Sequence, residues 1–291
     1  MKGERTPVYG LAMSSQKNVD RVVLVTGCST GIGRSCVEAF LLAGCKTIAT
    51  ARNVSTLQDL ERRGAQVAQL DVTIDEHRRK VVGDILQRHG RLDVLVNNAG
   101  YPEYGPFEEI DLDRWRAQFE TNVFGLVAMS QLVVPAMRAH KSGRIINISS
   151  IGGIVTLPLG SAYHASKWAV EALSDVARFE LKPFGIDVVV IEPGVVLTNF
   201  EQPAQKGLAL DSDSPYASLA AKFSVLLNRS YAKKTFNSIS PDTLAAVVVK
   251  AATARRPRAR YIAPVSAKTL AFMRPLIPDR LFDAILRTQI R

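Results

Sequence analysis

At 291 residues the chain has the length of one large α/β domain, and its 47% share of hydrophobic residues is enough for a sizeable core. A formal net charge of +10 raises nucleic acid or an anionic membrane as partners. Most of the excess is dispersed, and the one dense run, Arg255-Arg256-Pro257-Arg258-Ala259-Arg260, has neither interleaved aromatics nor zinc-finger spacing, so no nucleic-acid partner is expected.

Residues 1–19 contain no apolar signal-peptide core and read as a flexible lead, with Met13 as an alternative start. Arg21 to Thr26 is a β-branched run that stops at a glycine, as a buried parallel strand does. A helix is expected from Gly31 to Leu42, closed by Gly44. Further strands are expected at Thr47–Ala51, Gln66–Leu70, Val94–Val96, Arg144–Ile148, Asp187–Ile191 and Arg260–Ala263. Helices fall between them at Ser55–Arg63, Asp75–Arg88, Asp113–His140 and Ser161–Lys182. This alternation implies right-handed βαβ crossovers and a doubly wound parallel sheet covered on both faces, a three-layer α/β/α single domain over residues 20–291. No charge-free apolar run of bilayer-spanning length is expected. Cys28, Cys36 and Cys45 form no C-x-x-C pair, so neither a zinc site nor a disulfide framework is indicated and a reducing, cytosolic setting fits. His77, His89, His140 and His164 show no metal spacing, and no metal is expected.

The first strand runs into Thr26-Gly27-Cys28-Ser29-Thr30-Gly31-Ile32-Gly33. Glycines there allow a sharp turn and close approach to a pyrophosphate, which the free N–H groups of the following helix would hold. The T-G-x-x-x-G-I-G spacing resembles the short-chain dehydrogenase/reductase family. Further motifs follow in the family's order: Asp71-Val72 after the third strand, Asn97-Asn98-Ala99-Gly100 after the fourth, and Asn122 in the next helix. Ser150 ends the fifth strand, Tyr163-x-x-x-Lys167 opens the helix after it, and Pro193-Gly194 with Val196 and Thr198 closes the sixth. The resemblance spans roughly residues 20–200 and implies a Rossmann fold and a nicotinamide cofactor. It also implies that Asp71 and Val72 lie near the adenine and that Lys167 hydrogen-bonds the nicotinamide ribose. Asn122 would anchor a water in a proton relay.

An acidic residue at the end of the second strand would favour NAD. Ala51 stands at that place, followed by Arg52 and Asn53, and a guanidinium can fork onto a 2′-phosphate, so NADP(H) is expected over NAD(H). Tyr163 and Lys167, four apart, share one helix face. The nearby ammonium is expected to favour the tyrosinate and to draw the phenol down by ~2–3 pKa units from about 10, towards the range useful for proton exchange with an alcohol. Ser150, thirteen positions before Tyr163, would hold the substrate oxygen. Its neighbour Ser149 points to the opposite strand face. His164 reads as a pocket-wall or surface residue.

Residues 199–234 are expected to fold over the site as a lid. The tail from 263 to 291 alternates apolar residues with Arg274, Arg280, Arg287 and Arg291. It reads either as helix packed on the body or as an arginine-edged apolar surface that rests on a membrane or covers an apolar substrate. The T-A-R-N stretch and the tail are similar to the branch containing 17β-hydroxysteroid, retinol and acyl-dihydroxyacetone-phosphate reductases, which implies a small-molecule substrate that is bulky and lipophilic. The expected activity is interconversion of a carbonyl and an alcohol. The alternative is a regulator that binds NADP(H) without turnover. Association into a homo-oligomer through the long helices is usual in the family.

Overall fold

The computed structural model describes residues 20–198, 201–232 and 238–289. The expected lead, residues 1–19, and parts of the 199–234 segment lie outside the described residues. Seven strands form one parallel sheet in the order β3-β2-β1-β4-β5-β6-β9. They are β1 (Val22–Val25), β2 (Lys46–Ala51), β3 (Gln66–Gln69), β4 (Val94–Asn97), β5 (Gly143–Ile148), β6 (Ile186–Pro193) and β9 (Arg260–Ala263). Two short strands, β7 (Val195–Val196) and β8 (Ser238–Ile239), pair apart from the sheet.

Alternation along β1 shows why the sheet is covered on both sides. Val23 and Val25 enter one apolar cluster, Val22 and Leu24 the other. The first cluster is closed by α1 (Gly31–Leu42), through Cys36, Val37 and Phe40, and by α9 (Pro241–Thr253), through Leu244 and Val248. The second is closed by α3 (Asp75–His89), through Val81 and Ile85, and by α5 (Gly125–Ala139), through Met129, Val133 and Met137. The chain leaves β1 towards β2 on one side and returns to β4 on the other. This reversal opens a crevice at the carboxyl ends of β1 and β4, the usual ligand position in such sheets.

Three departures from the sequence reading have physical causes. The expected helix 113–140 is interrupted: α4 (Leu112–Phe119) passes through a π turn at Glu120–Phe124 before α5, and Asn122 sits on that turn. The whole Leu112–Ala139 stretch, though not free of charges, is long and apolar enough to cross a membrane by length and composition, yet one face of α5 packs in the sheet core. Helix α9 was not expected at all, although Ser240 caps it by accepting from the Thr243 N–H at 3.2 Å and Pro241 stands at its first turn. Finally, the expected helix 55–63 begins as a 3₁₀ turn (Val54–Leu57) before α2 (Gln58–Arg62). Two helices, α7 (Glu201–Leu208) and α8 (Ala217–Ala232), follow β7. Beyond β9 come α10 (Val265–Met273), a 3₁₀ turn containing Pro275, and α11 (Asp279–Gln289), so the tail is broken at its prolines.

Candidate active site

The crevice is built first by the turn between β1 and α1. Thr30 precedes α1 in an extended conformation without a side-chain cap, and the first turn of α1 holds no acidic residue. Its leading N–H groups and positive dipole end are thus available to an anion. Gly33 allows the close packing this needs: a Cβ there would lie 2.4 Å from both the Gly27 carbonyl oxygen and Asn98 Nδ2. Gly27, Ser29, Thr30, Gly31 and Ile32 form the floor of the turn, and Gly31 faces the Thr198 side chain, so the segment of Pro193, Gly194, Val196 and Thr198 makes the opposite wall.

Asn98, one of the residues that the family resemblance implies at the cofactor, also braces the glycine turn. Its Nδ2 donates to the carbonyls of Thr26 (2.8 Å) and Gly27 (2.9 Å), while the N–H groups of Asn98 and Ala99 donate to Thr26 Oγ1 at 3.0 and 2.9 Å. The carboxamide nitrogen therefore locks the glycine turn onto the end of β4. Thr26, which the sequence reading did not single out, is the other half of that lock. Gly100 packs against Asn122 Oδ1.

At the adenosine end, Ala51 is buried and Arg52 exposed at the tip of β2. Asn53 Oδ1 accepts from Ser55 N (3.0 Å) and Oγ (2.8 Å), which caps the 3₁₀ turn. Asp71 accepts from Thr73 N and Oγ1 at 3.0 and 2.7 Å. Burial pushes its carboxyl up, but the Thr73 bonds and the charges of Arg52 and His77 outweigh this and hold it below the usual range. Val72 packs on Gly125 of α5. These residues could hold a dinucleotide: an uncapped helix end for the pyrophosphate, and the exposed Arg52 guanidinium, after Ala51 rather than an acid at the end of β2, for a 2′-phosphate.

The reaction end lies where β5 meets α6 (Ser161–Leu181). Ser150 caps the 3₁₀ turn Ile151–Gly153, accepting from Gly152 N–H at 2.9 Å, and its side chain hydrogen-bonds Tyr163. Ser149 continues the β5 ladder to Ile191 and turns to the other face, towards Glu171. Lys167 Nζ donates to the Ile148 carbonyl at 2.8 Å and lies 5.9 Å from the Tyr163 ring centroid. The expected lowering of the phenol is corrected here. Burial, the largest influence, raises Tyr163 well above the ordinary phenol range, and the Ser150 bond offsets only part of this. Lys167 is itself buried, and desolvation pushes its ammonium down to about 8 against the pull of Glu171. Spacing on a helix showed that the two side chains share a face but not how little water reaches them.

Asn122 is buried on the π turn. It donates to the Tyr101 carbonyl and to Ser166 Oγ, both at 3.1 Å, and accepts from Tyr101 N–H at 3.2 Å. Its side chain thus fixes the stretch after Gly100 against α6. The wall above Tyr163 was not anticipated from sequence. Tyr104 stacks on Tyr163 with centroids 6.0 Å apart, and Phe223 of α8 stacks on Tyr104 at 5.9 Å. Leu159, Ala204, Leu208 and Ala220 complete this apolar cluster. Arg260, the last residue of the basic run and the first of β9, does not face solvent with the rest of the run's charge. It turns inward to Glu192 (3.0 Å), Glu171 (3.1 Å) and Asp175 (2.8 Å), behind Lys167.

Comparison with known proteins agrees with this geometry. The sequence pattern of the family described as short chain dehydrogenase matches residues 21–209. The chain is 33% identical over 282 residues to the NADPH-dependent 3-dehydrocapnine reductase of Ornithobacterium rhinotracheale, covering 93% of this chain and 98% of that one. A short-chain dehydrogenase structure from Streptomyces avermitilis aligns with a TM-score of 0.77 at 34% identity, covering 90% of this chain and 93% of that one. A metagenomic short-chain oxidoreductase in complex with NADP aligns with a TM-score of 0.67 at 28% identity, covering 86% and 98%. A family pattern over well more than half of the sequence, and alignments running nearly end to end, place this chain in the short-chain dehydrogenase family.

Proposed function

We propose that this oxidoreductase is NADP(H)-dependent and interconverts a carbonyl and an alcohol on a lipophilic substrate. The observation that carries the reading is the Tyr163 phenol, hydrogen-bonded to Ser150, beside Lys167 and under the apolar wall of Tyr104 and Phe223. The site would hold a steroid-, retinoid- or lipid-like body against that wall. Gly27, Ser29, Thr30, Gly31, Ile32 and Gly33 would hold the pyrophosphate, Asp71, Val72, Ala99 and Gly100 the adenosine half, and Tyr163, Lys167, Pro193, Gly194, Val196 and Thr198 the nicotinamide half.

The cofactor, when bound, supplies the hydride for the carbonyl carbon. Tyr163, held neutral by burial, donates its proton to the substrate oxygen as charge develops there. Ser150 Oγ holds the same oxygen and disperses that charge. The Lys167 ammonium stabilises the tyrosinate left behind, and Asn122 anchors the route by which the proton is replaced. Burial of the phenol favours the acid form that the reduction step uses.

The experiment is NADPH oxidation over a panel of ketones, aldehydes and retinoids, with the Tyr163→Phe variant beside the wild type. Binding of NADPH with no turnover on any member would favour a regulator instead. The cofactor preference has its own test. Arg52→Asp is expected to lower the NADPH-to-NADH ratio of kcat/KM by about 10²-fold or more, since it removes a charge-assisted fork and adds repulsion to a phosphate. An unchanged ratio would remove the basis for preferring NADP(H).

Three further readings accompany this one. Free, buried cysteines support a reducing, cytosolic setting. Exposed Phe124, Val176 and Phe179 on the π turn and α6 support a homo-oligomer, which sedimentation equilibrium tests. Exposed Phe272, Leu276 and Leu281 beside Arg280 support peripheral contact of the tail with a membrane, which co-flotation with anionic vesicles tests.

A further inference from the structure

His164 follows Tyr163 on α6, is only 4% exposed, and has no part in the chemistry proposed above. Its imidazole bridges two points of the segment 151–160, which connects Ser150 to Tyr163. Nδ1 lies 3.0 Å from the Gly152 carbonyl oxygen, and the Leu157 N–H donates to Nε2 at 3.1 Å. A carbonyl can only accept and an N–H can only donate, so the proton sits on Nδ1 and Nε2 is bare. The two partners together fix one tautomer of a neutral ring.

That bridge leads to the reacting pair. The same Gly152 that accepts from the imidazole donates its own N–H to Ser150 Oγ at 2.9 Å, and Ser150 bonds Tyr163. The ring also packs directly on backbone: a Cβ at Gly152 would lie 2.8 Å from Nδ1, and one at Gly160 2.7 Å from Cδ2 and Nε2. We propose that His164 is a positioning residue whose neutral Nδ1–H tautomer clamps Gly152 to Leu157, holds Ser150 Oγ against Tyr163, and lets go when Nε2 is protonated. This rests on the reading of Ser150 and Tyr163 as the reacting pair.

Protonation would set an Nε2 donor against the Leu157 N–H donor and place a cation among apolar walls. Of the titratable groups around the ring among the described residues, the phenols of Tyr163 (centroids 5.6 Å apart) and Tyr104 (6.3 Å) face it from α6 and from the stretch after Gly100. Phe107, Leu157, Leu159 and Trp168 line the cavity on its other side. Burial lowers the proton affinity of the ring, and the Gly152 carbonyl offsets part of that.

The test pairs kinetics with a readout that needs no turnover. Long-range nitrogen–proton NMR of the full chain with NADPH bound is expected to show His164 as the Nδ1–H tautomer at neutral pH; an Nε2–H tautomer would overturn the proposal whatever the activity. His164→Ala is expected to lower kcat roughly 10- to 100-fold with the NADPH Kd within about twofold. In His164→Asn the carboxamide can still donate to Gly152 but does not titrate. It is expected to recover most of kcat and to lose the fall in activity expected of the wild type on acidification below the ordinary imidazole range, the direction in which burial moves this ring. An unchanged kcat in His164→Ala, or the same acid limb in His164→Asn as in the wild type, would also overturn it. Should Tyr163→Phe retain activity, the reading of the reacting pair fails, and the tautomer still reports separately on the clamp.

Discussion

Tyr163→Phe is expected to lower kcat for carbonyl reduction by about 10²- to 10⁴-fold, the range that a positioned general acid contributes. The NADPH Kd should stay within about twofold, because the ring and its stacking on Tyr104 remain. Ser150 Oγ keeps the Gly152 N–H as a partner, so the change deletes an acid without unfastening the loop around it. The pH dependence separates Tyr163 from Lys167. The phenol is raised by burial, so it stays protonated well into the alkaline range and does not itself limit reduction there. Lys167 is lowered to about 8, so its ammonium is lost as pH rises through that value, and with it the charge that stabilises the tyrosinate. Reduction should therefore fall above about pH 8 in the wild type. A Tyr163→Phe variant that keeps a third of the wild-type rate would remove Tyr163 from the reaction.

The parallel sheet was legible because β1, β4, β5 and β6 are short β-branched runs buried on both faces, and each ends at a residue that breaks the run. The motif residues were legible as a set, and the structure brings Ser150, Tyr163 and Lys167 together at the carboxyl end of β5. What escaped depends on contacts between distant segments. Nothing local announces that Tyr104 and Phe223, more than a hundred positions apart, stack in one wall over Tyr163. The π turn at Asn122 interrupts a sequence that reads as one continuous helix. Helix α9 did carry a signal, Ser240-Pro241-Asp242, whose cap and first-turn proline mark a helix start. The direction of the Tyr163 shift was misjudged because i,i+4 spacing reports which groups are neighbours and says nothing of desolvation. The role of Arg260 escaped for a similar reason: the sequence placed it at the start of a strand, but not beside Glu192 of the adjacent strand β6.

Arg260→Met is expected to destabilise the fold by about 3–5 kcal/mol at neutral pH, the usual cost of leaving a buried charge without its partner. One guanidinium on β9 serves Glu192, Glu171 and Asp175, and Glu192 is fully buried. Burial first, then the neighbouring Glu171 carboxylate, pushes Glu192 up to about 7 despite Arg260. Glu171 is raised as well, so the pair is short of positive charge and favours keeping a proton. The folded chain therefore binds more protons than the unfolded chain between about pH 4.5 and 7. The resulting stabilisation is fully present below about 4.5 and lost as pH rises through about 7. Glu192→Gln keeps an acceptor for Arg260, supplies an amide donor to Glu171 and does not titrate. It should flatten the pH dependence of Tm over that window and leave the variant more stable than the wild type at pH 8. Arg260→Met should do the reverse, losing more stability at pH 8 than at pH 5, where protonated carboxyls need the guanidinium less. Denaturant midpoints for both variants and their double mutant at the two pH values measure the coupling directly. A loss below 1 kcal/mol for Arg260→Met at pH 8, or a steeper pH dependence in Glu192→Gln, would mean that water reaches these carboxylates and that the cluster is not a buried, proton-sharing pair.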